Sequence, residues 1–89
     1  MNTRFRLGKL VATPGALDAA PSRGALMQLV QRHASGDWGD LSAEDKAENE
    51  LSLREGFRIL SAYELEGTRY WVITEADRSA TTILLPQEY

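Results

Sequence analysis

Few side chains in this chain of 89 residues could do chemistry. There is no cysteine, which excludes thiolate nucleophiles, disulfides and cysteine-rich zinc sites. His33 is the only histidine, so most pairings of a nucleophile with a general base are excluded as well. The sequence has neither a Gly-x-Ser-x-Gly nucleophile elbow nor a Gly-x-x-x-x-Gly-Lys-Ser/Thr phosphate loop. We therefore expect a protein without catalytic residues, cofactors or enzymatic activity.

The position of His33 predicts a structural role for it. It continues an apolar stripe with the i, i+3, i+4, i+7 spacing of an amphipathic helix, formed with Leu26, Leu29 and Val30. At the last turn of that helix, His33 is expected to be either a partly buried core residue or a cation beside the negative end of the helix dipole.

The segment HASGDWGDL, residues 33–41, sets a tryptophan between two glycines and two aspartates. The glycines and polar residues are enough to end one helix and begin the next, so only Trp38 lacks an explanation. It is either a lid over a small core or an exposed anchor of a protein interface, with Asp37 and Asp40 beside it. A metal site formed by these aspartates with Glu44 is disfavoured, because the residue spacing of a calcium loop is absent.

A second polar concentration is the segment TEADRSATT, residues 74–82, at the tip of the last predicted hairpin. Glu75 and Asp77 with Arg78 predict a local ion pair that fixes the turn. Alternatively the tip is a recognition surface, in which Arg78 bonds a carboxylate or phosphate through both of its terminal nitrogens.

Charge is distributed unevenly along the chain, whose net charge is −3. Residues 1–36 carry five basic side chains and one acidic side chain, a net charge of +4. Residues 37–55 carry two basic and seven acidic side chains, a net charge of −5. A pI near 5 argues against a general nucleic-acid binder, which needs a clustered positive surface. The acidic segment, which includes Glu44 and Glu48, fits either a solvated helix face or a contact surface for a basic partner.

Hydrophobic periodicity and capping residues predict helices in the middle of the chain, between a first strand and three C-terminal strands. The predicted helical segments are a short turn over 14–20 that Thr13 begins, an amphipathic helix from about Ser22 to Gly36, and an acidic helix over 43–55 between Ser42 and Gly56. The apolar stripe of the acidic helix is thin and consists chiefly of Ala47 and Leu51, with Leu53 at one side. We therefore expect most of this helix to face water.

The predicted strands are residues 5–12, with Gly8 as a bulge, and residues 57–65, 70–74 and 81–85. In the second strand, Phe57, Ile59, Ser61, Tyr63 and Leu65 share one face. The element order is β-α-α-β-β-β, in which a C-terminal antiparallel meander packs against the one long amphipathic helix. The sequence thus predicts a single α+β domain over residues 1–89.

The N-terminal residues have basic side chains but only short apolar stretches, interrupted at Gly8 and Lys9. Neither a signal peptide nor a membrane span fits this pattern. We expect a cytoplasmic protein that does not contact the membrane.

Three blocks of the sequence, FRLGKLVATPGAL, SGDWGDL and YWVITEADRSATTILLPQEY, occur in this order and extend over nearly the whole chain. They resemble a family of small uncharacterised proteins carried on bacterial plasmids, integrated elements and phages. The resemblance implies a mobile-element setting and supplies no catalytic residue. An accessory or inhibitory role toward a host defence complex would fit that setting.

The leading hypothesis is a non-enzymatic protein-binding module that uses the acidic helix, Trp38 and the hairpin tip to occupy a basic surface on a partner. The element order also resembles that of small ribosome-dependent or gyrase-directed toxins, an analogy of topology alone. That alternative, with an RNA-cleaving activity, would depend on Arg78, Tyr70 or His33. A third alternative is nucleic-acid binding through the basic residues of the N-terminal third, Arg4, Arg6, Lys9, Arg23 and Arg32.

Overall fold

The computed structural model describes residues 3–89, which form an α+β fold around one four-stranded sheet. The strands are β1 (Lys9–Ala12), β2 (Ile59–Leu65), β3 (Thr68–Thr74) and β4 (Ala80–Leu84). The helices are α1 (Pro14–Ala19), α2 (Arg23–Ala34) and α3 (Ala43–Glu55), and a 3₁₀ turn covers Pro86–Glu88. The predicted α+β class is confirmed. The helical turn expected over 14–20 is a helix of its own, so three helices lie between β1 and β2.

Each helix begins at a side-chain cap that the sequence predicts. A hydroxyl oxygen accepts a hydrogen bond from the backbone N–H three residues later, at 3.2 Å for Thr13, 3.0 Å for Ser22 and 3.1 Å for Ser42. These bonds satisfy donors that the first turn of a helix leaves without an intrahelical partner. Helix α3 ends at Gly56, whose φ of 80° is the left-handed conformation typical of a glycine stop.

The sheet has the strand order β1-β4-β3-β2. Strands β2, β3 and β4 form the predicted antiparallel meander, with Tyr63 opposite Tyr70 and Val72 opposite Ile83. Strand β1 pairs with β4 in parallel, which makes the sheet mixed. This pairing joins residues near the two ends of the sequence, because everything between β1 and β4 forms the crossover connection.

The hydrophobic core lies between one face of the sheet and helices α1 and α2. The predicted stripe of α2 is confirmed, since Leu26, Leu29, Val30 and His33 are all buried. The core that it meets is formed by buried residues of α1 and the three meander strands: Ala16, Tyr63, Tyr70, Val72 and Ile83. Because successive residues of a strand alternate between faces, the period of two in β2 places Tyr63 on this side.

The first strand begins at Lys9, so the prediction of a strand over 5–12 is wrong at its start. Gly8 has a φ of +66°, and a Cβ atom there would lie 2.4 Å from the backbone oxygen of Ser79. The glycine therefore allows a close crossing of the β3–β4 turn and is not a bulge within a strand. Before it, Phe5 packs against His33 and Trp38, with ring centroids 5.2 Å and 6.2 Å away.

The predicted apolar stripe of α3 is also wrong. Ala47 is exposed and Leu51 and Leu53 are only half-buried, whereas the residues that α3 buries are Asn49 and Ser52. The amide of Asn49 donates to the Leu60 carbonyl oxygen at 2.7 Å and accepts from the Leu60 N–H at 3.2 Å. Helix α3 thus docks through polar contacts with the backbone of β2, and, as expected, most of its circumference faces water.

Candidate functional site

His33 is fully buried in a chain of hydrogen bonds between α2 and the sheet. Its Nδ1 lies 2.6 Å from the Ser61 hydroxyl oxygen, and its Nε2 lies 2.9 Å from the Thr74 hydroxyl oxygen. The Thr74 hydroxyl lies 2.7 Å from that of Thr81, which donates to the Leu7 carbonyl oxygen at 2.7 Å. All four polar side chains of this chain are 0% exposed.

The carbonyl at the end of this chain fixes the direction of every proton in it. Because Thr81 gives its single proton to the Leu7 oxygen, Thr74 must donate to Thr81 and accept from the Nε2–H of His33. The Nδ1 atom is then the acceptor for Ser61. Burial, and secondarily the charge of Arg78, lowers the pKa of His33 to about 3. The expectation of a buried core histidine is confirmed, and the alternative of a cation at the helix end is wrong.

The contact between Ser61 and His33 has the composition of a nucleophile and its base. Both side chains are 0% exposed, however, so a substrate has no access to the serine oxygen. The other ring nitrogen of His33 contacts a threonine hydroxyl, whereas a catalytic histidine is usually oriented by a carboxylate. The network therefore fixes the core and offers no reaction centre.

Trp38 is a lid, because its side chain is only 5% exposed. Its indole Nε1 donates to Glu50 at 2.9 Å, and Glu50 also accepts two bonds from Arg4, at 3.0 Å and 2.9 Å. These bonds, that from Arg4 first, lower the pKa of Glu50. The indole also packs against Phe5 and His33, with ring centroids at 6.2 Å and 6.1 Å. The alternative prediction, that Trp38 is an exposed interface anchor, is wrong.

The backbone around Trp38 adds to the free edge of β2. The Trp38 carbonyl oxygen accepts from the Ala62 N–H at 3.2 Å, and the Asp40 N–H donates to the Ala62 oxygen at 2.7 Å. Gly39, between them, pairs with Ala62 in a parallel bridge at a φ of +76°. A Cβ atom on Gly39 would lie 2.0 Å from the Ala62 oxygen, so only glycine fits this position.

The two aspartates of the segment hold it in place through ion pairs at the surface. Asp37 forms an ion pair with Arg32 at 2.6 Å and accepts from the Gly39 N–H at 3.1 Å. The bond from Arg32 is the main cause that lowers the pKa of Asp37. Asp40 forms an ion pair with Arg69 at 2.9 Å. The segment HASGDWGDL is therefore a structural joint that closes one edge of the sheet.

At the β3–β4 hairpin tip, Arg78 bonds backbone oxygens rather than acidic side chains. Its guanidinium donates to the oxygens of Phe57 at 2.7 Å and Ser52 at 3.1 Å, and to two oxygens of its own turn. Among residues 3–89, Arg78 forms no ion pair with Glu75 or Asp77, so the predicted local pair is wrong. The Ser52 oxygen, which also accepts from the Gly56 and Phe57 N–H groups, and the Phe57 oxygen bind the guanidinium at the negative end of α3 instead.

The acidic residues of the tip lie at the surface. Glu75 is exposed, and Asp77 accepts from the Ser79 side chain and its backbone N–H, bonds that lower the pKa of Asp77. The backbone bond is 2.9 Å long. Asp77 thus shapes the turn, and Glu75 remains available to solvent.

Replacing Arg78 with lysine is expected to lower the free energy of unfolding by about 1 to 2 kcal/mol. A single ammonium cannot reach carbonyls of the turn, of Phe57 and of Ser52 together, so charge-assisted bonds that tie the hairpin tip to the end of α3 are lost. Chemical denaturation of the variant measures this loss. The exposed Arg54→Lys is the matched control, and an equal effect in both would contradict the assignment.

A groove of about 570 Å³ lies between α3 and the sheet face opposite the core, and we call it the α3 groove. Its lining comes from α3, the two segments that flank the helix, and strands β2 and β3: Leu41, Asp45, Glu48, Asn49, Ser52, Phe57, Arg58, Leu60, Arg69 and Trp71. Phe57 is 52% exposed at its mouth. Trp71 lies edge-on to Tyr89, with a centroid distance of 5.6 Å. The groove thus combines aromatic surface with charged walls.

The α3 wall of the groove is acidic. Within the part of the chain that the structure describes, Asp45 and Glu48 form no ion pair, and neither does the neighbouring Glu44. Arg69 is already paired with Asp40 at 2.9 Å. Arg58 stacks over the neutral Tyr89 ring at 5.3 Å and keeps its positive charge in the lining. A basic group that enters on the α3 side meets the carboxylates of Asp45 and Glu48, while Arg58 lies on the opposite, strand side of the lining.

Sequence reasoning missed both aromatic residues of this groove. It placed Phe57 in a strand, on the face shared with Ile59, but β2 begins at Ile59 and Phe57 lies in the joint after Gly56. The glycine stop directly before Phe57 was the available signal, because a residue at a helix-to-strand joint is free to leave the strand pattern. For Trp71, the sequence predicted a strand but not the face of the sheet on which the side chain lies.

Among residues 3–89, no three His, Asp or Glu side chains come together in a group that could hold a metal ion. None of the helices in this described range is both long and apolar enough to cross a membrane. A comparison of the chain with protein-family models, curated proteins and solved structures finds no match.

Proposed function

We propose that this protein is a non-enzymatic binding module that captures a basic segment of a partner protein in the α3 groove. The observation that carries the proposal is the group of unpaired carboxylates beside exposed aromatic surface. Phe57 supplies an aromatic side chain of a type enriched at protein interfaces, and Glu44, Asp45 and Glu48 supply the attraction for lysine or arginine.

The residues that make this contact differ in part from those predicted from the sequence. The acidic helix keeps its role, with Glu44 and Glu48 exposed. Phe57 takes the place of Trp38 as the aromatic anchor, since Phe57 is 52% exposed and Trp38 only 5%. Asp37 and Asp40 are neutralised by Arg32 and Arg69 and hold the neighbouring 33–41 segment rather than the partner. Glu75 and Asp77 lie at the hairpin tip as a further acidic contact surface, and Arg78 supports that tip from within.

The setting belongs to the same proposal. A cytoplasmic accessory protein of a plasmid, phage or integrated element fits the resemblance of the sequence blocks, and a partner within a host defence complex fits such a setting. A binding module needs no catalytic centre to inhibit or recruit a complex, which agrees with the small size of the fold.

The positions of the relevant side chains give the alternatives less support. The toxin alternative depends on His33 and Tyr70, both 0% exposed, and on Arg78, whose guanidinium bonds backbone carbonyls. For nucleic-acid binding, two of the five basic residues, Arg4 and Arg32, are neutralised by carboxylates. A small remaining positive surface provides few phosphate contacts.

Affinity purification from a bacterial host, followed by mass spectrometry, tests the proposal. We expect one reproducible partner on the wild-type chain, and its loss from the Glu48→Lys variant. Asp18→Lys makes the same charge change on α1, at an exposed position outside the groove, and should retain the partner. Recovery of no reproducible partner, or equal recovery by both variants, would overturn the proposal.

A further inference from the structure

The two edge strands of the sheet, β2 and β1, differ in whether their outward backbone groups are hydrogen-bonded. On the β2 edge, the outward backbone groups of Leu60 are bonded by the Asn49 side chain. Those of Ala62 are bonded by Trp38 and Asp40. Unpaired edge strands invite pairing with other chains, and native proteins usually cover or block them. The β2 edge is covered in this way.

The β1 edge is left open. The Lys9 N–H donates to the Ser79 oxygen and the Thr13 N–H to the Ile83 oxygen, both at 3.0 Å, so alternate residues of β1 face β4. The N–H and C=O groups of Leu10 and Ala12 therefore point away from the sheet. No bond to these groups is formed by other residues of the described range.

An apolar groove of about 420 Å³ runs along this open edge, and we call it the β1 groove. Its lining includes Leu10 and Val11, which project to opposite faces of the sheet, so the groove follows the edge itself. Leu17 and Met27 complete its rim. Six large hydrophobic side chains are exposed in the described range, and four of them line this groove at 39–44% exposure: Leu10, Val11, Leu17 and Met27. Such clustering marks a contact surface.

The charged side chain in the lining of the β1 groove is positive. Arg23 lines the groove, and Lys9 projects from β1 on the same sheet face as the lining residue Val11. Within residues 3–89, neither cation forms an ion pair. The lining includes no acidic side chain in that same range. The surface therefore complements a segment that carries carboxylates together with apolar residues.

We propose that β1 accepts an extended acidic segment of a partner protein as a fifth strand of the sheet. The backbone of the segment bonds Leu10 and Ala12, and its alternate apolar side chains enter the β1 groove, as in other cases of strand addition. Its Asp or Glu residues meet Lys9 and Arg23. A second copy of this chain suits the edge less well, because two-fold pairing of β1 would bring the same cations into one interface. The β1 groove lies at the opposite edge from α3, so this proposal is independent of the α3 groove.

Selection of short random peptides from a display library on the full chain tests the inference. The key variant is Leu10→Pro, which removes one outward N–H but leaves the β1–β4 bonds, since proline is tolerated on an edge strand. We expect peptides that alternate apolar with acidic residues to be enriched on the wild type and not on this variant. Circular dichroism confirms that the variant is folded.

The charges are tested by a second variant that keeps the backbone intact. Lys9→Glu combined with Arg23→Glu should weaken the selected peptides by about tenfold or more, whereas Arg54→Glu on α3 should not. Equal enrichment on the wild type and Leu10→Pro, or selection of basic peptides, would overturn the proposal. So would a wild-type dimer in light scattering that Leu10→Pro converts to a monomer, because the edge would then pair with itself.

Discussion

Replacement of Trp38 with alanine is expected to lower the free energy of unfolding by about 3 kcal/mol or more, the range found for buried large aromatic residues. The indole is 5% exposed and packs between Phe5 and His33. Its removal leaves a cavity above the buried histidine and deprives Glu50 of one donor. In a domain of this size, such a loss lowers the thermal midpoint by roughly 12 °C or more. Thermal and chemical denaturation measure it.

Trp38→Phe separates packing from hydrogen bonding. Phenylalanine keeps most of the apolar contact but cannot donate to Glu50, so we expect a smaller loss of about 1 to 2 kcal/mol. If Trp38→Ala unfolds at the wild-type midpoint, the indole is not a lid and the assignment of the 33–41 segment as a structural joint fails.

Acidification is expected to destabilise the protein well before its carboxylates titrate. Burial lowers the pKa of His33 to about 3 in the folded chain, against about 6.5 in an unfolded chain. Between these values the unfolded state binds the proton and the folded state does not, so stability falls with pH below about 6.5. From about pH 7.5 to about pH 5, the loss should be about 2 kcal/mol.

Two measurements isolate this effect. His33→Gln cannot titrate, so its free energy of unfolding should be nearly constant over the same pH range, although lower throughout. In the wild type, the ring signals of His33 in an NMR titration should stay those of the neutral Nε2–H form down to about pH 5. A midpoint near the ordinary value of about 6.5 would contradict the buried network.

The elements whose signals are local could be predicted from the sequence. The stripe of α2 repeats over three turns, and the caps at Thr13, Ser22 and Ser42 need only the following residues. The meander follows from a period of two with short turns. These parts of the fold depend on neighbours in sequence, which is why pattern reasoning found them.

The features that were missed depend on partners far along the chain. The lid role of Trp38 was left open because it requires Glu50 and, through it, Arg4. Arg78 was expected to pair with acidic neighbours, but carbonyls from the end of α3 lie within its reach. The face that α3 buries is set by two polar contacts of Asn49 with β2, which no hydrophobic pattern records.

The sequence predicted the acidic residues of the candidate site but not its aromatic residues. The acidic segment pointed to α3, and Glu44 and Glu48 are exposed there. The aromatic part of the site is Phe57 with Trp71, and their neighbourhood arises only when α3 docks on the edge of β2. Tertiary packing thus decided which aromatic residue meets solvent and which became core.

The most direct test of the central claim is site-specific photo-crosslinking from position 57 in living bacterial cells, with identification of the contacted peptide. A photoreactive residue at this exposed position leaves the core undisturbed. We predict one reproducible crosslinked protein, whose contacted peptide carries lysine or arginine, and its loss when Glu48→Lys is added. The same probe at the exposed Asp18 should not capture it. The absence of a crosslink from position 57, or capture of the same proteins from both positions, would contradict the account.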